Sequence, residues 1–457
     1  MKVIAIFDIG KTNKKLFLFD EQYKIVWEQC EVCEQTTDED NDPCEDVVRL
    51  TEWVHRSLAK LAGLREFDIR AINFSAYGAS FVYIGEQDRP IAPLYNYLKA
   101  YPEQLKKKFY DTYGGEITFS MLTASPVLGS LNSGMQLYRV KQERPELFVD
   151  IKYALHLPQY LSFLLTGKAC SDITSIGCHT NLWNFAQKNY HEWVYREGVI
   201  DKLAPIVSST SVLPVAPEFA NGVKVGISGI GLHDSSAAMI PYLESFREPF
   251  VLISTGTWCI SMNPFNDSPL TVAELQKDCL CYMSYQGRPV KASRLFAGYE
   301  HEQQVQRLAA HFQTQPARVA TIDFDADCID RLRSRQESDD LVTDHAPVAA
   351  SVFHRRALNK FGSFEEAYHQ LMLDIMDQQV NSTRLVLHDT DVRRIFVDGG
   401  FGRNQLYMHL LAEAFPGIEV FTASIPQATA MGAALAIHRH WNSRPLPGDI
   451  IELKYYK

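Results

Sequence analysis

Two aspartates and three glycine turns carry the chemistry that can be read in this sequence. Asp8 ends an apolar run and is followed by Gly10-Lys11-Thr12-Asn13, so a carboxylate stands beside a turn whose N–H groups can face phosphate oxygens. From there Asp8 could hold Mg²⁺ through water; the plainer alternative is a capping acceptor in a glycine-turned hairpin. Ser254-Thr255-Gly256-Thr257 is a second hydroxyl-rich glycine turn, in the equivalent place of the second half. Facing each other across a cleft, two such turns would grip one polyphosphate and keep water from the transferred group; singly, each is also an ordinary Ser/Thr hairpin. Asp234 follows His233 and precedes Ser235-Ser236-Ala237-Ala238, small residues that permit close backbone approach at a helix start. A carboxylate there can orient and deprotonate an attacking hydroxyl, or act only as an N-cap. Asp398-Gly399-Gly400-Phe401-Gly402-Arg403-Asn404 lies between a strand and a helix, where glycines let a flat base rest on backbone or simply turn the chain.

The elements needed to position these groups are legible around them. Val3 to Asp8 and Leu16 to Phe19 predict a hairpin, and Phe250 to Ser254 with Trp258 to Met262 predicts its repeat. Between them, residues 34 to 46 are acidic and read as a solvated loop, Val47 to Leu61 as a helix, and Ile69 to Phe74 as a strand. Residues 145 to 167 are expected to hold two helical stretches around His156-Leu157-Pro158, closing at Thr166-Gly167. Pro241 to Pro249 reads as the crossover into the second half. There Phe364 to His388 and Ala428 to Trp441 predict helices, and Arg394 to Val397 and Ile418 to Phe421 predict strands. Strands alternating with helices in both halves point to two related α/β domains and hence a cleft.

Composition narrows the partners. A chain of 457 residues exceeds one ordinary core, and 46% hydrophobic with 22% charged residues is a globular composition. The opening MKVIAIFDIGKTNKK lacks a signal-peptide h-region, and no apolar run reaches membrane-spanning length, so a cytoplasmic protein without a membrane partner is expected. The nine cysteines are odd in number and scattered, which favours reduced thiols, and Cys30-x-x-Cys33 with Cys44 has no second pair or histidine at zinc-ligand spacing. Net charge is −10 with no basic patch interleaved with aromatics, which argues against nucleic acid. An anionic ligand must then be held locally, by backbone amides and a metal ion.

Taken in order, FDIGKTN (7–13), HDSSAA (233–238), STGTW (254–258), VDGGFGRN (397–404) and ATAMGAA (428–434) resemble the FGGY carbohydrate kinase family nearly end to end. The resemblance implies an actin-like, ribonuclease H-like fold in each of two domains, 1–243 and 244–457, with Mg²⁺-ATP between them and sugar mainly on the first. It makes Asp234 the catalytic base and Asp8 the magnesium-associated carboxylate. Thr12 and Asn13 fall in the first phosphate loop, Gly256 and Thr257 in the second, and Gly399, Gly400 and Asn404 at adenosine. Segments 156–161, 165–167 and 171–174 are most similar to L-rhamnulose and L-fuculose kinases. Other ketoses or polyols (xylulose, ribulose, glycerol) remain alternatives, as does a nucleotide-dependent sugar sensor or chaperone without transfer.

The sugar side departs from the family pattern. Ser80 stands where an aspartate is common, and the segment Tyr95 to Ala100 carries Lys99 and lacks the usual arginine or aspartate. Tyr77, Gly78, Ser80 and Asn96 are the expected sugar contacts, with neighbouring aromatics as an apolar wall. The chain is somewhat short for the family, and 263 to 345 is where it is expected to be trimmed. A homodimer is left open by the sequence.

Overall fold

The structure, a computed structural model, describes residues 1–217, 219, 222–336 and 351–457, so the end of the segment expected to be trimmed, 337–345, lies outside the described residues. The first sheet is built from β1 (Lys2–Ile9), β2 (Asn13–Asp20), β3 (Ile25–Val32), β4 (Asp68–Ala76), β5 (Val212–Pro214), β6 (Ile227–Gly229) and β7 (Leu232–His233). Its order is β5-β6-β4-β1-β2-β3, with β7 also on β4. The second contains β8 (Phe250–Thr255), β9 (Cys259–Asn263), β10 (Cys279–Met283), β11 (Pro289–Leu295), β12 (Arg394–Gly399), β13 (Glu419–Ser424) and β14 (Glu452–Tyr456), in the order β10-β11-β9-β8-β12-β13-β14. Stripped of edge strands, both read 3-2-1-4-5: an antiparallel meander followed by strands parallel to the first. This is the duplicated ribonuclease H-like architecture that the motifs imply.

Among the helices of the described residues, the sheets are covered chiefly by α1 (Val47–Gly63), α2 (Leu157–Thr166), α3 (Asp234–Ser245), α4 (Ala297–His311), α5 (Phe364–Leu387), α6 (Gln405–Ala414) and α7 (Ala428–Ala436). Pleating divides the work. Val3, Ala5, Phe7 and Ile9 of β1 face an outer core with Leu50, Trp53 and Leu58 of α1 and Leu157 and Leu161 of α2. The alternate residues Ile4 and Ile6 face a second core that also takes Leu252 and Phe396 from the other sheet. That shared core is filled by α3 and α7, lying between the two sheets, so the domains are joined through buried apolar surface. No described helix is long and apolar enough to cross a membrane.

Several local expectations change in the fold. Pro241 does not start a crossover; α3 runs through it to Ser245. Proline has no N–H, so the Ala237 carbonyl loses its helical donor. Gly432 of α7 packs onto that same carbonyl, and a Cβ there would overlap it. Residues 34–46 are not a wholly solvated loop: Gln35–Thr37 and Pro43–Glu45 pair as a small hairpin that buries Asp38 and Glu45. Tyr153–His156 is a strand where helix was expected, ahead of α2, which does end at left-handed Gly167. The final helix breaks at Ile437 before a short turn at His438–Trp441.

The crossing predicts that Gly432→Ala loses about 1–3 kcal/mol in urea unfolding by overpacking against backbone that cannot yield, whereas Gly417→Ala, which meets nothing within 4 Å, leaves the midpoint unchanged. Equal midpoints for the two variants would refute the close crossing.

Candidate active site

The α3–α7 crossing brings both aspartates to one place. Asp8 lies near the end of β1, in register with Lys15 on β2 and Ser75 on β4. Thr429, on the first turn of α7, donates its hydroxyl to Asp8 Oδ2 at 2.9 Å. Asp234 opens α3, with Oδ1 accepting from the Ser235 N–H at 2.6 Å and the Ser235 hydroxyl at 3.2 Å. Burial raises the Asp8 carboxyl to about 6; Thr429 opposes that rise and the charge of Asp234 adds to it. Burial likewise raises Asp234 to about 6, opposed by its bonds to Ser235. The Asp234 side chain nevertheless keeps 32% of its surface open, so it is both desolvated and reachable.

His233 backs this carboxylate. Its Nε2 lies 3.4 Å from Asp234 Oδ1 and 3.3 Å from Cys178 Sγ, and burial lowers it to about 4, leaving a neutral imidazole. The ring fills the space beside Gly78, where any side chain would strike it. Gly78 therefore matters as absence of bulk beside the base. His179, at φ 38°, is half-buried with its ring edge-on to Tyr282, and Trp183 packs on Tyr190.

The first loop is held from beneath by a buried lysine. Gly10 N–H donates to the Asn13 carbonyl at 3.0 Å, and Thr12 and Asn13 are exposed at the tip. Lys14 is buried; its Nζ donates to the carbonyls of Gly10 at 2.8 Å and Lys11 at 3.2 Å and pairs with Glu45. Glu45 also accepts from the Tyr77 hydroxyl. The second loop is tied to the glycine-rich turn by Thr255, which sequence reading left without a role. Its Oγ1 donates to the Asp398 carbonyl at 2.7 Å and accepts from Phe401 N–H at 3.0 Å, while its carbonyl accepts from Gly400 N–H at 3.0 Å. Gly399, at φ 95°, lies so close to Thr255 that a Cβ would overlap its carbonyl. Gly256, Thr257, Gly399 and Gly400 are all exposed, with open space where Gly256 and Gly400 would bear a Cβ. Asn404 caps α6 through Tyr407 N–H and donates to the Tyr368 hydroxyl at 2.7 Å, so its side chain is spent on shaping the turn.

The expected sugar residues divide. Asn96 is partly open, with Nδ2 donating to the Pro43 carbonyl and Oδ1 accepting from Leu98 N–H. Tyr77 and Ser80 are buried, their hydroxyls committed to Glu45 and to the Tyr95 carbonyl. They support the wall rather than expose a reading group. Lys99 is explained by its partners: Nζ lies 2.6, 2.7 and 3.1 Å from Asp38, Asp40 and Asp42, occupying the centre of that acidic group as a cation.

Residues 3–240 match the FGGY family of carbohydrate kinases, N-terminal domain; 247–332 match Carbohydrate kinase FGGY, C-terminal domain; and 364–440 match the C-terminal domain of the FGGY family of carbohydrate kinases. A rhamnulokinase of Halalkalibacterium halodurans is 24% identical over 280 residues, a match spanning 58% of this chain and 57% of that protein. A carbohydrate kinase from Novosphingobium aromaticivorans superposes at TM-score 0.80 with 23% identity, covering 99% of this chain and 96% of the other. A xylulose kinase from Lactobacillus acidophilus gives 0.78 with 16% identity over 100% and 94%.

Because Asp234 ionises at about 6 in the fold and at an ordinary 3.8 when exposed, its ionisation opposes folding as pH rises through 6. Asp234→Asn is expected to raise the thermal midpoint at neutral pH, with the gain vanishing below pH 3.8. A variant that melts lower than wild type at neutral pH contradicts this.

Proposed function

Since the chain belongs to the FGGY family of carbohydrate kinases, we propose that it transfers the γ-phosphoryl group of ATP to a hydroxyl of a sugar bound beside Asp234. The observation that carries this reading is the convergence of Asp234 and Asp8, two desolvated carboxylates from different elements, beside the hairpin loop. The domains are assigned as 1–243 and 244–457, a division near the end of α3.

Asp234 accepts the proton of the attacking hydroxyl as the oxygen forms its bond to phosphorus and the bond to ADP breaks. Its carboxylate suits the task because burial makes it more basic than an exposed aspartate while 32% of the side chain stays open. Neutral His233 limits its rotation without neutralising it. Thr12, Asn13, Gly256 and Thr257 present exposed turns to the phosphates, and Gly399 and Gly400, braced by Thr255, offer backbone to the adenosine. Asn404 keeps that turn in shape.

Asp8 fits a divalent cation: its carboxylate is desolvated and repelled by Asp234, and both penalties are relieved by a positive ion. Mg²⁺ bound there would neutralise charge on the phosphate oxygens. For the sugar, Gly78 and Asn96 line the approach, with Tyr77 and Ser80 behind them. A ketose of the L-rhamnulose or L-fuculose kind is the preferred class, supported by the rhamnulokinase relative. The nine free thiols suit the cytoplasm.

The test is Mg²⁺-dependent ADP release across L- and D-ketoses, glycerol and other polyols against a no-sugar blank. One sugar must raise release far above the blank; a flat panel with tight ATP binding sinks the proposal. With that sugar, kcat/KM should fall as pH drops through about 6, because protonated Asp234 cannot accept the proton. Asp234→Asn should keep ATP affinity and lose kcat by on the order of 100- to 10,000-fold; near-normal turnover would remove Asp234 from its role.

A further inference from the structure

The hairpin tip carries three lysines, and only two have structural posts. Lys14 is buried under the loop against Glu45, and Lys15 reaches across to Gln427 Oε1 at 3.2 Å. Lys11 turns the other way. Its Nζ lies 3.4 Å from Asn96 Oδ1, 4.8 Å from the centre of the Tyr97 ring and 5.4 Å from that of Tyr77. Among the described residues it makes no ion pair.

Two aromatic faces and one long amide contact are weak compensation for a half-buried ammonium. Nearby carboxylates cannot supply the rest. Glu45 is taken by Lys14 and Tyr77, and Asp38, Asp40 and Asp42 are taken by Lys99. Burial accordingly pulls the Lys11 pKa down, with Glu45 only partly opposing it. The charge sits next to the proposed chemistry: Tyr97, which it overlies, also feels the carboxylate of Asp234. An uncompensated cation fixed at such a place needs an anionic partner that arrives with the reaction.

The geometry points to Lys11 as the catalytic cation that receives the phosphoryl group on the sugar side of the first loop. This rests on the kinase reading. Its backbone lies in the loop offered to ATP, while its Nζ reaches the wall offered to the sugar. As the phosphorus–oxygen bond to ADP breaks and the bond to the sugar oxygen forms, the phosphoryl oxygens move toward Nζ, so the contact strengthens along the reaction. A neutral sugar alone would give this ammonium nothing to bind but hydroxyls.

Lys11→Met should lower kcat on the order of 100-fold with the active sugar, while the KM values for sugar and ATP barely move; Lys11→Arg should recover most of the loss. A sugar-free arm titrates inorganic phosphate into the Mg²⁺-ADP complex: the Met variant should bind ADP normally and phosphate more weakly. Normal ADP binding also reports a folded protein. Unchanged kcat with unchanged phosphate binding overturns the assignment. So does a rise in KM confined to sugars bearing a carboxylate, which would make Lys11 a reader of substrate charge. If wild type gives no sugar-dependent ADP release, the kinase reading fails, and the phosphate titration still decides Lys11.

Discussion

One helix crossing fixes the rest of this molecule. Pro241 strips the Ala237 carbonyl of its helical donor, and the glycine at 432 lets α7 come down on that carbonyl without a side chain between them. The approach sets the two sheets on opposite sides of a shared core, with Ile4 and Ile6 from one and Leu252 and Phe396 from the other. It also sets the first turn of α7 against β1, which is how Thr429 reaches Asp8 from a position 421 residues away. A carboxylate on a strand and a carboxylate at a helix start thus share one field because two helices of small residues touch backbone to backbone.

An acidic chain that is to bind a polyphosphate, as we propose, must keep its own carboxylates from repelling it. Here that is done by pairing inward. Lys14 holds Glu45 beneath the first loop, and Lys99 holds three aspartates beside the Tyr95 ring. The buried pairs among them, Lys14 with Glu45 and Lys99 with Asp38, add little net stability, since desolvation offsets most of the attraction, but they fix geometry. Among the described residues, what these pairings leave for the proposed ligand is backbone N–H groups at two exposed turns, Asp8 and Asp234, and the ammonium of Lys11, which makes no ion pair.

The sequence disclosed the hairpins, the glycine turns and the duplicated order of strands, because these depend on local periodicity and on residues with distinctive backbone freedom. It also led to Asp8 and Asp234, though either alone reads more readily as a cap. Thr255 escaped notice since a threonine in a strand is ordinary; only the parallel pairing of β8 with β12 makes its hydroxyl a brace for residues 398 to 401. Ser80 was expected to face the sugar, yet nothing local told that its hydroxyl would find the Tyr95 carbonyl inside. Residues 34–46 read as solvated because their partners, Lys14 and Lys99, come from distant elements. Pro241 read as a break because local rules cannot foresee that another helix will pack onto the freed carbonyl.

The central claim is that Asp8 and Asp234 form one electrostatic unit, and ¹³C NMR titration of the aspartate carboxyls tests it most directly. Both should titrate near 6, as should buried Asp172, which serves as a bystander. Asp234→Asn should move Asp8 toward the ordinary carboxylate value and leave Asp172 in place, and Mg²⁺ should lower Asp8 further in wild type. Independent titration of Asp8 and Asp234 at ordinary values, indifferent to the substitution and to Mg²⁺, would contradict the account.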